Sequence, residues 1–273
     1  MAAKLGIIAG AGELPKRLID AARAEGRAVY VLALEGAADE AMIGDAPHDW
    51  IRLGGAADGL RLLHENAVEE VVLAGGVKRP SLASLRPDWR TAKFFARIGA
   101  RAFSDDGLLS AIVKALEEEE GFRVVGADAL LGSADMPLGP IGKHRPDDLA
   151  ERDIALGARA ARALGALDIA QAVIVQQGTV LGVEAVEGTD ALIARCAALK
   201  QSGSGGVLVK VPKPGQERRA DLPTVGPKTA ANAAAAGLRG IAVEAGATIL
   251  LDRQGVIDAA DRHGLFFVGI AAP

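Results

Sequence analysis

The stretch Lys4-Leu5-Gly6-Ile7-Ile8-Ala9-Gly10-Ala11-Gly12-Glu13-Leu14-Pro15 decides the fold class of this 273-residue chain. A short aliphatic run that empties into glycines and then a proline reads as a buried strand, a tight turn and the start of a helix over 15–25, with Pro15 in its first position. The alternation continues downstream. Residues 28–34 and, more weakly, 50–53 read as strands, 57–66 has helical spacing, and 70–74 (EVVLA) is a strand. Residues 108–120 form a strong helix, and 122–125 return to strand. Strands alternating with helices imply a parallel sheet covered on both faces. Residues 1–130 are therefore predicted to form a Rossmann-like α/β domain.

Gly132, Ser133, Pro137, Gly139, Pro140, Gly142 and Pro146 crowd the next segment. Glycine and proline at that density interrupt helices and strands alike, so 131–146 reads as a linker. Beyond it, 147–164 is helical and 171–177 and 179–186 flank Gly178 like a hairpin. Residues 190–200 are a helix, 207–211 a strand and 227–238 an alanine-dense helix. Residues 240–244, 248–252 and 265–270 are strands. This second domain, 147–273, is mixed α/β, and the ligand is expected in a cleft between the two domains.

Composition removes several function classes. The chain has 55 alanines and nine aromatic residues, so its cores are packed from small aliphatic side chains, and it lacks the aromatic platforms on which single-stranded nucleic acid stacks. With 31 basic and 35 acidic residues the net charge is −4, without a basic footprint for nucleic acid. The acidic excess lies in residues 1–133 (16 basic, 20 acidic); residues 134–273 balance at 15 and 15. The acidic run 117–120 reads as a solvated helix face. One cysteine, Cys196, and four scattered histidines (His48, His64, His144, His263) exclude a disulfide scaffold and a zinc finger. No apolar stretch approaches the ~20 residues needed to span a bilayer, so the chain is expected to be cytosolic, at most peripheral to a membrane.

Four places carry possible chemistry. In the first turn, Gly10 and Gly12 can let the backbone approach an anion. A dinucleotide fingerprint wants a third glycine where Pro15 stands, although Glu35 is placed like a ribose-binding acid. A nicotinamide site, another phosphate or ribose contact and a plain tight turn all stay open. In the second turn, Ala74-Gly75-Gly76-Val77-Lys78-Arg79-Pro80, the glycines and Lys78 would lie on the same sheet edge, facing a phosphate or simply solvent. The third place is Asp221-Leu222-Pro223-Thr224-Val225-Gly226-Pro227-Lys228-Thr229. Here Gly226-Pro227 starts a helix whose free amides at Lys228 and Thr229, with the Lys228 charge and the Thr224 and Thr229 hydroxyls, suit an anion. Asp221 either caps a turn or, beside a phosphate, holds a metal or moves a proton. The fourth set is Gln176-Gln177-Gly178 with Glu184, Thr189 and Asp190, the last two also suited to capping a helix. Residues 201–206 (QSGSGG) have the composition of a mobile loop or lid. Lys210, Lys213, Arg218 and Arg219 face either anionic lipid or water.

Taken together, Gly-Ile-Ile-Ala-Gly-Ala-Gly-Glu-Leu-Pro (6–15), Ala-Gly-Gly-Val-Lys-Arg-Pro (74–80), Leu-Gly-Val-Glu-Ala-Val-Glu-Gly-Thr-Asp (181–190), Asp-Leu-Pro-Thr-Val-Gly-Pro-Lys-Thr (221–229) and Gly-Ile-Ala-Val-Glu-Ala-Gly (240–246) resemble the LpxI family. These are UDP-2,3-diacylglucosamine pyrophosphatases of lipid A synthesis in Gram-negative bacteria. The likeness runs through almost the whole chain, in order. It implies hydrolysis of UDP-2,3-diacylglucosamine to UMP and 2,3-diacylglucosamine 1-phosphate (lipid X), with water attacking the sugar-side phosphorus. It implies Mg²⁺ or a similar divalent cation, a two-domain enzyme that holds lipid X between its domains, a homodimer, and peripheral contact with the inner membrane. It places the essential aspartate of the D-x-P-T-x-G motif at Asp221, as catalytic residue and metal ligand. Substrate contacts are then expected from Gly10, Gly12, Gly75, Gly76, Lys78, Gln177, Thr189, Asp190, Thr224, Lys228 and Thr229. The rival classes are an NAD(P)-dependent oxidoreductase built on the first turn, and a nucleotide-sugar-binding module without turnover.

Overall fold

The computed structural model describes residues 2–77, 85–99, 105–131 and 136–272. It divides into two compact units, Met1–Gly132 with Glu217–Asp221, and Ser133–Gln216 with Leu222–Pro273. Among the described residues no helix is long and apolar enough to cross a membrane.

The first unit is built on a five-stranded, wholly parallel sheet in the order β3-β2-β1-β4-β5, with β1 Leu5–Ala9, β2 Val29–Leu34, β3 His48–Ile51, β4 Glu70–Ala74 and β5 Arg123–Val124. Around it lie α1 (Leu14–Ala24), α2 (Glu40–Ile43), α3 (Ala56–Glu65), α4 (Trp89–Ile98), α5 (Asp105–Glu118) and α6 (Ala127–Leu131). The predicted Rossmann-like order is thus present, and the strand sequence reverses direction between β1 and β4. Every residue of β2 is buried, as a strand covered on both faces requires. The helix α4 was not anticipated; it is amphipathic, but among its residues only Thr91 is buried. Its start signal is nevertheless in the chain. Asp88 Oδ1 accepts from the Thr91 amide (2.8 Å) and Oδ2 from the Ala57 amide (2.7 Å), so one carboxylate caps α4 and the start of α3 together. The acidic run is exposed at Glu118 and Glu119, as expected of a solvated face, and it is also paired. Glu117 takes Arg219, Glu119 takes Arg97, and Glu120 takes Arg90 and His64.

The second unit holds a six-stranded mixed sheet in the order β6-β13-β11-β9-β7-β8. Its strands are β6 Gly139–Ile141, β7 Ala172–Gln176, β8 Thr179–Val183, β9 Val207–Lys210, β11 Gly240–Glu244 and β13 Phe266–Ile270. The strands β9, β11 and β13 run parallel; β6, β7 and β8 join antiparallel. A two-stranded parallel ribbon pairs β10 (Thr224–Val225) with β12 (Ile249–Leu250). The helix α7 (Asp148–Gly165) covers one face, packing Ala150, Ile154, Ala158 and Ala161 on Val173, Val175, Val207 and Val209. A Cβ on Gly157 would stand 2.6 Å from Val209 Cγ2, which is why the helix carries glycine at that contact. On the other face lie α8 (Thr189–Cys196), α9 (Pro227–Ala235) and α10 (Arg253–Arg262), packed on Ile174, Leu208, Ile241 and Phe267. Burial there pushes the Cys196 thiol up from its usual range, so it is a packing residue rather than a nucleophile.

Three segments differ from their sequence reading. The glycine- and proline-rich stretch contributes β6, an edge strand paired with β13, and an edge is where a strand tolerates Pro140. The strand expected over 248–252 is limited to Ile249–Leu250, because Asp252 turns the chain and caps α10 by accepting from the Gly255 amide (2.9 Å). Residues 217–221, read as part of the second domain, belong to the first unit. There Ala220 packs on the cluster around Tyr30 and Leu116, and Arg219 donates to Glu117 (2.7 Å) and Glu217 (2.9 Å).

The double cap generates a test. Burial raises the pKa of Asp88, but the Thr91 and Ala57 amides and the Thr91 hydroxyl outweigh it and hold the carboxyl below the usual carboxylate range. A depressed folded pKa stabilises above the unfolded pKa, and the contribution is lost as pH falls through the folded value. Asp88→Ala is expected to cost about 1–2 kcal/mol in urea unfolding at pH 7. The gap from the parent should close below about pH 4; a gap independent of pH would refute the ionic cap.

Candidate functional site

The two glycine turns meet at the carboxyl edge of the first sheet, where β1 and β4 lie side by side at the switch in strand order. What they approach is each other. The Gly10 amide donates to Ala74 O (2.7 Å), the Ala11 amide to Gly76 O (2.8 Å), and the Gly76 amide returns to Ala11 O (3.0 Å). A Cβ on Gly10 would lie 2.6 Å from Gly76 O, and one on Gly75 would strike Ala11 O. Gly10 and Gly75 therefore permit the contact between the turns, and three amides expected to face an anion are consumed in it. Gly12, with φ +95°, and Gly76 have open space in front of them. Lys78 lies outside the described residues.

The larger assembly of predicted residues is in the second unit. Along β9 the side chains alternate, with Val207 and Val209 toward α7 and Leu208 toward α8 and α9. Lys210, the last residue of β9, shares the Leu208 face by the same period of two and is 7% exposed. Its Nζ donates to Thr189 Oγ1 (3.1 Å), in the first residue of α8, and to Thr224 O (3.3 Å), just before α9. The Thr189 hydroxyl in turn donates to Glu184 (2.6 Å), itself 6% exposed. Asp190 ties the two helix starts together, accepting from Asn232 Nδ2 (3.0 Å) and pairing with Lys228 Nζ (3.3 Å). Thus Thr189 and Thr224 meet on Lys210 at the carboxyl end of the central parallel strands, and Asp190 and Lys228 pair with each other where α8 and α9 begin.

Thr229 is a partial correction. Its amide closes a short turn onto Gly226 O (3.0 Å), and its hydroxyl accepts from the Gly226 amide at 3.5 Å, so it serves the helix start rather than standing free. Lys228 is well exposed, and its pair with Asp190 is of the screened kind that contributes little to stability. The sequence reading missed Lys210, treating it as a lipid-facing or solvated residue. The signal was a single lysine inside Val-Leu-Val-Lys-Val, in register with Leu208.

Gln177 is not part of this assembly. The strand β7 runs antiparallel to β9, with Val175 opposite Val207 and Ala172 opposite Lys210, so the turn after β7 lies at the far edge of the sheet. Buried Asp153 accepts from the Gln177 (2.8 Å) and Gly178 (2.7 Å) amides, holding a tight hairpin with φ +49° and +76°. The Gln177 side chain donates to Ser202 O (2.9 Å), and that of Gln176 to Gln201 O (2.9 Å) and Ser204 O (2.7 Å). The segment read as a lid is thereby tethered. Of the basic residues read as facing either anionic lipid or water, Lys213 pairs with Asp168 (2.5 Å) and Arg219 with Glu117 and Glu217. Asp221 is half-buried at the end of the segment that joins the first unit, its amide donating to Glu217 O (3.0 Å). Among the described residues no three His, Cys, Asp or Glu side chains converge as a metal cage would require.

The role of the first turn can be tested without a ligand. Gly10→Ala should destabilise the protein by roughly 1–3 kcal/mol, the usual cost of overpacking against fixed backbone. A variant as stable as the parent in thermal melting would mean that the turns do not depend on the contact.

Comparison with known proteins follows the same division. The family model for the LpxI N-terminal domain matches residues 4–134, and that for the LpxI C-terminal domain matches 137–268. The UDP-2,3-diacylglucosamine pyrophosphatase LpxI of Caulobacter vibrioides is 41% identical over 276 residues, covering 98% of this chain and 97% of that protein. Solved structures give only distant likenesses. A glycinamide-RNase-transformylase T from Mycobacterium tuberculosis is 14% identical, with 68% of this chain and 44% of that one covered. An N5-carboxyaminoimidazole synthase from Aspergillus clavatus is 16% identical, with 73% and 44% covered. Both have a TM-score of 0.25, too low to bear on the fold. Two adjoining family matches and a close relative aligned from end to end leave one assignment: the chain belongs to the LpxI family.

Proposed function

We propose that this protein hydrolyses the diphosphate of UDP-2,3-diacylglucosamine, releasing UMP and 2,3-diacylglucosamine 1-phosphate. The observation that carries the reading is the convergence of Thr189 and Thr224 on the buried Lys210 ammonium, with Asp190 and Lys228 paired at the starts of α8 and α9, within a chain of LpxI type. Phosphoryl transfer needs charge neutralisation and positioning more than covalent chemistry. A water oxygen bonds to the sugar-side phosphorus, the P–O bond to the bridging oxygen breaks, and UMP leaves with that oxygen.

Asp221 is the catalytic carboxylate in this reading, three residues before Thr224 in the motif Asp-Leu-Pro-Thr-Val-Gly. It orients the attacking water or holds the cation. A magnesium ion would neutralise charge on the diphosphate, and one carboxylate with waters and substrate oxygens is its ordinary mode of binding, which suits a chain whose described residues form no cage. Gly12 and Gly76, with open space before them, contribute further contacts to the nucleotide sugar, and Lys78 adds charge. The diacylated substrate stays in a bilayer, since each buried methylene is worth ~0.8 kcal/mol. The reading therefore places the protein at a membrane face, as a homodimer of the kind the family resemblance implies.

The test is UMP release from UDP-2,3-diacylglucosamine by the full-length protein. Asp221→Ala is expected to lower kcat on the order of 10³-fold with thermal melting unchanged; near-parental turnover would remove Asp221 from the mechanism. Chelation by EDTA should stop the reaction and added Mg²⁺ restore it. Turnover that persists in EDTA would leave a hydrolase without a metal.

A further inference from the structure

We infer that Lys210 is the buried cation that receives the substrate's diphosphate, and that Thr189 and Glu184 are positioning residues that keep it aimed. The inference rests on the hydrolase reading above and assigns a substrate-contacting residue within it.

The argument begins with cost. Burying an ammonium is unfavourable by several kcal/mol unless an anion meets it. Other buried or partly buried cations of this protein obey that rule directly. Arg27 pairs with Glu70, Lys213 with Asp168 (2.5 Å), and the half-buried Arg239 with Asp147. Lys210 departs from it. Among the described residues no carboxylate comes within 4.0 Å of its Nζ, and its two hydrogen bonds go to a hydroxyl and a carbonyl, both neutral. An ammonium has three protons to donate, so one remains for a ligand.

The surroundings specify an anionic ligand. The Thr189 hydroxyl stands between Lys210 and Glu184, accepting from one at 3.1 Å and donating to the other at 2.6 Å. Glu184 thus balances the charge from one hydroxyl away without occupying the ammonium. Both α8 and α9 follow a glycine, Gly188 and Gly226, that offers no side-chain cap; in α9, where Pro227 has no amide and the Thr229 amide is taken by Gly226 O, the Lys228 amide is left. Lys228, exposed and paired with Asp190, adds a second cation at the start of α9. Each of these features favours two or more negative charges in one place, which a diphosphate supplies. Fixed positive charge in a dry site needs no reorganisation as charge shifts toward the leaving UMP oxygen, which is where such a group accelerates the reaction.

The experiment uses the full-length protein, with inorganic pyrophosphate as the binding probe in calorimetry and UMP release as the activity. Lys210→Met should melt no lower than the parent, bind pyrophosphate on the order of 100-fold more weakly and lose kcat by a similar factor; Lys210→Arg, which keeps the charge, should recover part of the binding. Thr189→Val and Glu184→Gln should lower kcat on the order of 10-fold with KM within about twofold, the split expected when a contact is misaimed rather than removed. A folded Lys210→Met that binds pyrophosphate within about twofold of the parent, or a parent that does not bind pyrophosphate, overturns the inference. If Lys210→Met fails to fold, Thr189→Val decides, and an unchanged kcat overturns it. The two readings separate cleanly. Pyrophosphate binding that depends on Lys210 in a protein that releases no UMP sinks the hydrolase and keeps the cation site. Normal UMP release with Lys210→Met unaffected does the reverse.

Discussion

The arrangement of the second unit turns on keeping one ammonium dry at the carboxyl end of β9. Lys210 is there because the strand alternates. Leu208 must face the helices α8 and α9 to complete the larger hydrophobic cluster, and a period of two then commits residue 210 to the same side. A lysine so committed has no water to turn to, and the structure answers with the Thr189 hydroxyl and the Thr224 carbonyl. Those two contacts fix where α8 begins and how β10 leads into α9. Asp190 then links the helices to each other. The polar cluster is therefore a consequence of sheet geometry as much as of the loops that carry its residues.

The first unit solves a different problem at the corresponding edge of its own sheet. Glycines that would suit a phosphate cradle are used to bring two loops into backbone contact, with mutual amide–carbonyl bonds between Ala11 and Gly76. The dinucleotide fingerprint fails at Pro15 for a related reason. The helix α1 begins at Leu14 with Pro15 in its first turn, so the position where the fingerprint places its third glycine is filled by a ring. The resemblance to a nicotinamide-binding turn is a resemblance of backbone economy, small residues at a crowded strand end, and the surviving open positions are Gly12 and Gly76.

Buried charge is handled in two distinct ways in this protein. At Arg27 and Lys213 a carboxylate is in direct contact, and the pair serves the fold. At Lys210 the carboxylate is displaced by one hydroxyl. Direct pairing quenches a cation; pairing through a hydroxyl balances it while leaving a donor available. That difference of one atom separates a structural ion pair from a group able to bind an anion.

Much of this was legible in the sequence. The parallel sheet of the first unit followed from aliphatic runs alternating with helical spacing, the hairpin around Gly178 from its flanking strands, and the start of α9 from Gly226-Pro227, because these depend on neighbours within a few residues. The family resemblance rested on motifs that read in the same linear way. Other features depend on contacts made at a distance. The pairing of Gly139–Ile141 with β13, the reach of Asp88 to the Ala57 amide and the tether on 201–206 each join residues far apart in the chain, and no local pattern announces them. The register of β7 against β9 alone separates Gln177 from Thr189, although both were expected on one substrate. Lys210 shows the boundary most clearly: alternation in the sequence gives the face it must occupy, but only the tertiary structure decides that the face is dry and that no carboxylate lies in contact with the ammonium there.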